Sequence, residues 1–189
     1  MTVKIYLAGP DVFLLDALEV GERKRSMCRE FGFEGEFPFD AGEVAHRDPG
    51  LIYRRNRDRM DVLKVGVFNL TPFRGPSADP GTVFELGYMI AAGKRVFGYS
   101  SAAEIYQDRV ARTFGPLRAE RGRSLDRNDL AVEDFHLDDN LMIAEAIRQS
   151  GGFIEVVAEN AATPAAALPA FQAFRACLAR LRELRDELS

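Results

Sequence analysis

The feature that most constrains this chain is a stretch in which an apolar run ends at a broken loop and a helix then starts from a capping acid. Val65 to Phe68 is apolar throughout and flanked by turn residues, the pattern of a strand buried on both faces. From Asn69 to Gly93 the chain reads NLTPFRGPSADPGTVFELGYMIAAG. Pro72, Gly75 and Pro76 punctuate a loop, and Asp79-Pro80 has the form of a helix start, with a carboxylate at the N-cap and proline next to it. The helix then runs to Gly93, a residue suited to closing it. A strand end, a Gly/Pro loop and a helix start make the usual ligand crevice of an open α/β sheet. Glu85 sits on this helix among Val83, Phe84, Leu86 and Tyr88, so it is expected to be partly desolvated. The residue one turn earlier, Gly81, has no side chain and leaves open space beside the carboxylate. Taken alone, a helical glutamate is still more often structural or solvated than chemical.

The remaining segments repeat the alternation of strand and helix. Val3 to Ala8 reads as a first strand feeding the turn Gly9-Pro10, and Tyr6 within it reads as an aromatic packing under a helix. The turn GPDVF, Gly9 included, is a second candidate lip of the cleft, with backbone amides available to a ligand. A helix is expected from Asp16 to Phe31, with Leu14, Leu18, Cys28 and Phe31 as its apolar stripe and Glu22, Arg23, Lys24 and Arg25 on its wet side. Phe33 to Phe39 suggests a second strand, and His46 in the polar segment after it reads as a surface residue. Leu51 to Lys64 reads as a helix whose Arg54, Arg55, Arg57 and Arg59 form either a solvated face paired with Asp58 and Asp61 or a phosphate site. Strands follow at Arg95 to Tyr99 and Phe153 to Val157, and a helix is expected within Ala102 to Phe114. Gly115 to Asp139 shows no clear period, the mark of a functional lid or a partner-contacting segment, with Leu130, Val132 and Phe135 as anchors. A helix begins at Asp138-Asp139, with Asn140 in its first turn as an ordinary polar residue near an N-terminus. Phe171, Phe174, Leu178, Leu181 and Leu184 give a last helix, about Pro169 to Leu188, one apolar face. The expected architecture is one three-layer α/β/α domain over residues 1–189, Rossmann or flavodoxin-like, with about five parallel strands joined by right-handed crossovers.

Composition enters as a set of exclusions. A net charge of −4 with interspersed basic residues gives no footprint for a nucleic-acid polymer. No apolar run approaches the roughly 20 residues of a membrane span, and the N-terminus lacks a signal peptide's pattern. Cys28 and Cys177 lie far apart without metal-ligand spacing, and with only two histidines a metal centre is not expected; a reducing cytoplasm is the simplest setting.

The string NLTPFRGPSADPGTVFELG, with the opening KIYLAGPDVF and the later DNLMIAEAI, resembles the nucleoside 2-deoxyribosyltransferase family from about Lys4 to Gly152. The resemblance implies Glu85 as the nucleophile that takes the deoxyribosyl group, Asp79 as the residue that holds the sugar, and Tyr6 as the support that orients Glu85. It implies that Asn140, with Leu141 and Met142, reaches the site of a neighbouring subunit, and hence a homo-oligomer. The implied substrates are nucleosides and free nucleobases, with no cofactor. One departure stands out: where the family carries an acid five residues before the Asn of the central string, this chain has Lys64. Asp61 then stands in as the acid that helps the base leave, or Lys64 itself contacts a base carbonyl. Two other readings compete. One is a related hydrolase of deoxynucleoside 5'-monophosphates, against which Asp11 counts as an acid where a phosphate would sit. The other is a non-catalytic nucleoside-binding module, for which Lys64 is the main support.

Overall fold

Alternate residues of the central strands point to opposite sides of one parallel sheet, and this period of two divides the core into two layers. The computed structural model describes residues 2–38, 48–159 and 167–188. Its strands in chain order are β1 (Val3–Ala8), β2 (Phe33–Glu36), β3 (Val65–Asn69), β4 (Arg95–Ser100), β5 (Arg118–Glu120), β6 (Arg123–Leu125), β7 (Ala131–Val132) and β8 (Ile154–Val156). The main sheet has the order β2-β1-β3-β4-β8, parallel at every pairing. The described α-helices are α1 (Ala17–Glu30), α2 (Pro49–Val62), α3 (Pro80–Ala91), α4 (Tyr106–Phe114), α5 (Leu141–Gln149) and α6 (Phe171–Glu183).

On one side Ile5, Leu7, Val65, Val67, Phe97 and Tyr99 meet Met27 and Cys28 of α1 and Phe174, Cys177, Leu178 and Leu181 of α6. On the other, Tyr6, Ala8, Phe68 and Val96 meet Met60 of α2, Leu86 and Met89 of α3, and Ile143 and Ile147 of α5. Each fully buried aliphatic or aromatic side chain contributes about 1.5–3 kcal/mol, so the apolar stripe of α6 suffices to hold that helix on the sheet. The approach of α3 is close because β3 carries Gly66: a Cβ there would lie 2.5 Å from the Phe68 ring and 2.9 Å from Met89 Sδ.

The strand order matters for function. β1 lies between β2 and β3, so the chain leaves β1 toward one edge and returns on its other side. At such a reversal the connections diverge, and a crevice opens beyond the C-terminal ends of β1 and β3. The three-layer α/β fold and five-stranded parallel sheet expected from the sequence are present.

Local expectations are corrected in four places. Lys24 is not on the wet side of α1 but 1% exposed, and Leu18 is 37% exposed; Ala17, Val20, Gly21, Met27 and Cys28 form the buried stripe. The segment from Gly115 to Asp139 holds a three-stranded antiparallel sheet, β5-β6-β7, whose strands of two or three residues are too short to leave a period. The last expected helix ends earlier, at Glu183, followed by a 3-10 turn. The helix after Asp139 starts at Leu141 with Asn140 as its N-cap, because the Asn140 side chain accepts from Met142 N. His46 lies outside the described residues. Cys28 is buried and its thiol is pushed up to about 12 by desolvation, so it is a core residue, as its place in the sequence suggested.

Candidate active site

The period of two on β1 sends Tyr6 to the side of the sheet covered by α2 and α3, where its ring is fully buried. Its hydroxyl donates to Glu85 Oε1 at 2.9 Å. Asn56, on α2, donates from Nδ2 to the same oxygen at 3.2 Å. Glu85 therefore has two neutral donors, from two elements, and no ion pair among the described residues. Burial pushes its carboxyl up to about 7; the Tyr6 and Asn56 hydrogen bonds oppose that rise and the negative charge of Asp79 adds to it. At neutral pH the group is poised between its two forms.

Asp79 is the N-cap of α3, its Oδ2 accepting from Thr82 N at 2.9 Å and Thr82 Oγ1 at 3.1 Å. A Cβ at Gly81 would meet only Asp79 Oδ2, so the space beside these two acids is otherwise open. The loop that delivers Asp79 is pinned from behind by a fully buried arginine. Arg109 of α4 donates to the carbonyls of Pro76 at 2.7 Å, Glu104 at 2.9 Å and Asp138 at 2.6 Å, and its guanidinium lies 3.5 Å from Asp139. Asp139 in turn accepts from Ser77 Oγ and from Ala78 N. A buried arginine is tolerable only with this many acceptors, and here they fix the Pro76–Ala78 end of the connection to the residues that lead into α5.

The other lip follows β1. Gly9 has no room for a side chain, since a Cβ would lie 2.5 Å from Asn69 Cβ. Asp11 beyond it is 1% exposed and pairs with Lys24 Nζ at 2.6 Å, while Lys24 also donates to Tyr99 Oη at 2.7 Å. Asn69 Nδ2 donates to both Asp11 oxygens at 3.2 Å, and Asn69 Oδ1 accepts from Thr71 N at 3.1 Å. Asp11 is thus a neutralised structural acid that ties the ends of β1, β3 and β4 together, and does not face a phosphate position as its place in the turn suggested. Phe13 and Phe73, one from each lip, stack at 5.1 Å, and Arg74 lies over both rings.

Among the residues singled out from the sequence, Glu85, Tyr6 and Asp79 are brought together, and Gly9 lies at the adjoining strand end. The others are not. Asp61 is solvent-facing at the end of α2, accepts from the Tyr88 hydroxyl at 2.6 Å and lies near Arg57. Lys64 immediately precedes β3 and lines a surface cavity with Thr2, Val3, Lys4, Val62, Leu63 and Leu188, at the N-terminal ends of β1 and β3, the opposite end of the strands from the crevice. Asn140 is held by Glu133 at 2.6 Å and by its own helix, and Met142 is 70% exposed. The residue that sequence reasoning missed is Asn56. Its signal was present: it is one turn before Met60, which faces the core, and it is the single uncharged polar side chain in RRNRDRMD. The arginine face of the same helix is largely paired, with Arg57 beside Asp58 and Asp61 and Arg54 beside Asp48. No cluster of potential metal ligands occurs among the described residues, and none of the described helices is long and apolar enough to cross a membrane.

A desolvated carboxylate steadied by neutral donors, in the crevice of a parallel α/β sheet, is a candidate site for a small ligand. The nucleoside 2-deoxyribosyltransferase family model matches residues 5–142, and the chain belongs to that family of glycosyl-transferring enzymes. An uncharacterized protein from Schizosaccharomyces pombe is 35% identical over 169 residues, 80% of each chain. The solved structure of a 2-desoxiribosyltransferase from Leishmania mexicana is similar at a TM-score of 0.59 and 30% identity, covering 75% of this chain and 85% of that one. A conserved protein from Enterococcus faecalis V583 shares the fold at a TM-score of 0.51 and 22% identity, over 84% of this chain and 92% of its own.

Proposed function

We propose that the protein moves a 2-deoxyribosyl group between nucleobases by double displacement, with Glu85 as nucleophile. The observation that carries this reading is the setting of Glu85: partly buried, without a cation among the described residues, and held by two donors that leave it free to gain and lose a covalent bond. A merely structural acid in such a place would be expected to have a counter-ion, as Asp11 has.

In the first half-reaction Glu85 attacks the anomeric carbon of a deoxynucleoside. The bond to the base breaks, its electron pair leaves on the base nitrogen, and a glycosyl ester remains. In the second half-reaction a nitrogen of another base attacks the same carbon and the pair of the ester bond returns to Glu85. The retaining geometry parallels that of retaining glycosidases, with a base in place of water. Asp79 caps α3 with one oxygen and offers the other to a sugar hydroxyl, and its charge favours the oxocarbenium-like transition state. Tyr6 orients Glu85. Phe13 and Phe73 supply an apolar lip for the base. Asn140 and Met142 serve a neighbouring copy, a reading supported by the exposure of Met142 and by the exposed apolar side chains of Ile52, Tyr53 and Phe84 on α2 and α3.

A hydrolase of deoxynucleoside 5'-monophosphates is the second reading. It gains from the structure, because the acid that counted against it, Asp11, is buried against Lys24. The binding-module reading loses its support, because Lys64 lies away from the crevice. Incubating thymidine or deoxyinosine with free adenine, and thymidine 5'-monophosphate in a parallel reaction, with native protein and Glu85→Ala, separates the three. New deoxyadenosine that disappears in the variant is the expected result. Free base and sugar without exchange would identify the hydrolase, and no turnover of any nucleoside or nucleotide would leave the binding module.

A further inference from the structure

The two donors on Glu85 converge on one of its oxygens. Tyr6 Oη and Asn56 Nδ2 both donate to Oε1, and no described residue donates to Oε2. The amide of Asn56 is not free to turn over. Its Oδ1 accepts from Arg59 Nη1 at 3.2 Å, and the same Nη1 donates to the carbonyl of Pro38 at 3.3 Å. A guanidinium has donors only, so Arg59 fixes the amide oxygen on its own side and presents the NH2 to Glu85. Arg59 is three residues after Asn56 on α2, the spacing at which helical side chains meet.

We propose that Asn56, locked by Arg59, is a positioning residue that with Tyr6 saturates Oε1 and thereby makes Oε2 the oxygen that bonds to the sugar. The inference rests on the reading of Glu85 as nucleophile and assigns its two oxygens different work. When Oε2 forms its bond to the anomeric carbon, Oε1 becomes the ester carbonyl oxygen and keeps both donors. When the second base nitrogen attacks, the bond from carbon to Oε2 breaks, its pair returns to the carboxylate, and the proton of the attacking N–H passes to solvent. Donors on Oε1 stabilise the carboxylate as a leaving group, so their removal hinders the second half-reaction more than the first. Among the described residues, the groups that face Glu85 are Tyr6 from β1, Asn56 from α2 with Arg59 behind it, and Asp79 ahead of α3.

Two measurements test this on the full-length protein. The first is carbon NMR titration of the Glu85 carboxyl in resting enzyme, assigned with Glu85→Gln. Asn56→Leu, which keeps size but donates nothing, should shift the titration upward by about one pH unit, a tenfold change in ionisation, and Arg59→Met should shift it in the same direction by less. The second is intact-protein mass during turnover: Asn56→Leu should raise the fraction of protein carrying a deoxyribosyl adduct and lower kcat by about tenfold or more while the first release of base persists. An unmoved titration in a folded Asn56→Leu protein overturns the proposal, as does an equal loss in both half-reactions. The titration needs no turnover, so absence of transfer by the native protein would refute the nucleophile reading separately.

Discussion

Two carboxylates flank the end of β1, and their surroundings have matching parts. Asp11 is met by an asparagine, Asn69, and reaches a tyrosine, Tyr99, through Lys24. Glu85 is met by an asparagine, Asn56, and a tyrosine, Tyr6, directly. The difference is the lysine. Asp11 has a cation at 2.6 Å, and Tyr99 accepts a hydrogen bond from that lysine where Tyr6 donates one to Glu85. With no cation beside Glu85 among the described residues, burial dominates and pushes its carboxyl up to about 7. A buried acid with its own counter-ion fixes backbone geometry. The same acid with neutral donors keeps reactivity at the expense of stability.

The comparison is broken most severely by removing the nucleophile. Glu85→Gln should lower base exchange by about 10⁴-fold or more, read by chromatography, because Gln preserves the shape and the Tyr6 contact but cannot form the ester. Next in size is Lys24→Met. It leaves Asp11 buried and unpaired, and should cost about 3–5 kcal/mol in urea unfolding, with most of the loss recovered in Lys24→Met with Asp11→Leu. Recovery of nothing in the double variant would mean that the pair holds the strand ends by geometry and not by charge.

Smaller still is the stability conferred by the same Glu85→Gln change at alkaline pH. Between about 4.5 and about 7 the folded protein retains a proton on Glu85 that the unfolded chain has lost. The unfolded state then binds fewer protons, so this group's contribution to stability falls as pH rises through that window. Glu85→Gln should flatten that slope and be about 1–3 kcal/mol more stable than the native protein at pH 8. Activity of the native protein should run the other way, falling as pH drops through about 7, where the nucleophile is protonated. Asp79→Asn removes a negative charge that raises Glu85, and should move that acid limb to lower pH. The least effect is expected for Asp61→Asn and Lys64→Ala. Both are solvent-facing and lie away from Glu85, so kcat/KM should change by less than about twofold. A large loss in either would return the departing base's proton to one of them.

Much of this was legible in the chain itself. Apolar runs of four to six residues alternating with helical periods leave a parallel α/β sheet as almost the only packing solution, and Asp79-Pro80 marks the start of α3 by local chemistry alone. Glu85 and Tyr6 were visible as an acid in an apolar setting and an aromatic in a strand. What joins them is the sheet: β1 pairs with β3, whose following helix returns over the side to which Tyr6 points. Local pattern also gave no warning that Lys24, embedded in GERKR, turns inward. A lysine is buried only when its partners, here Asp11 and Tyr99, arrive from other elements, and no window of sequence contains them. Lys64 and Asp61 lie away from the crevice because both precede β3, at the strand's N-terminal end, whereas the crevice opens beyond its C-terminal end. The sequence by itself determined the layers, the crevice and the acid that lies in it, because those follow from periodicity and capping within a few residues. The tertiary structure alone decided which acid is paired with a lysine and which oxygen of Glu85 takes the donors of the described residues, because charge pairing and hydrogen-bond geometry depend on residues brought together from 13 to 79 positions apart.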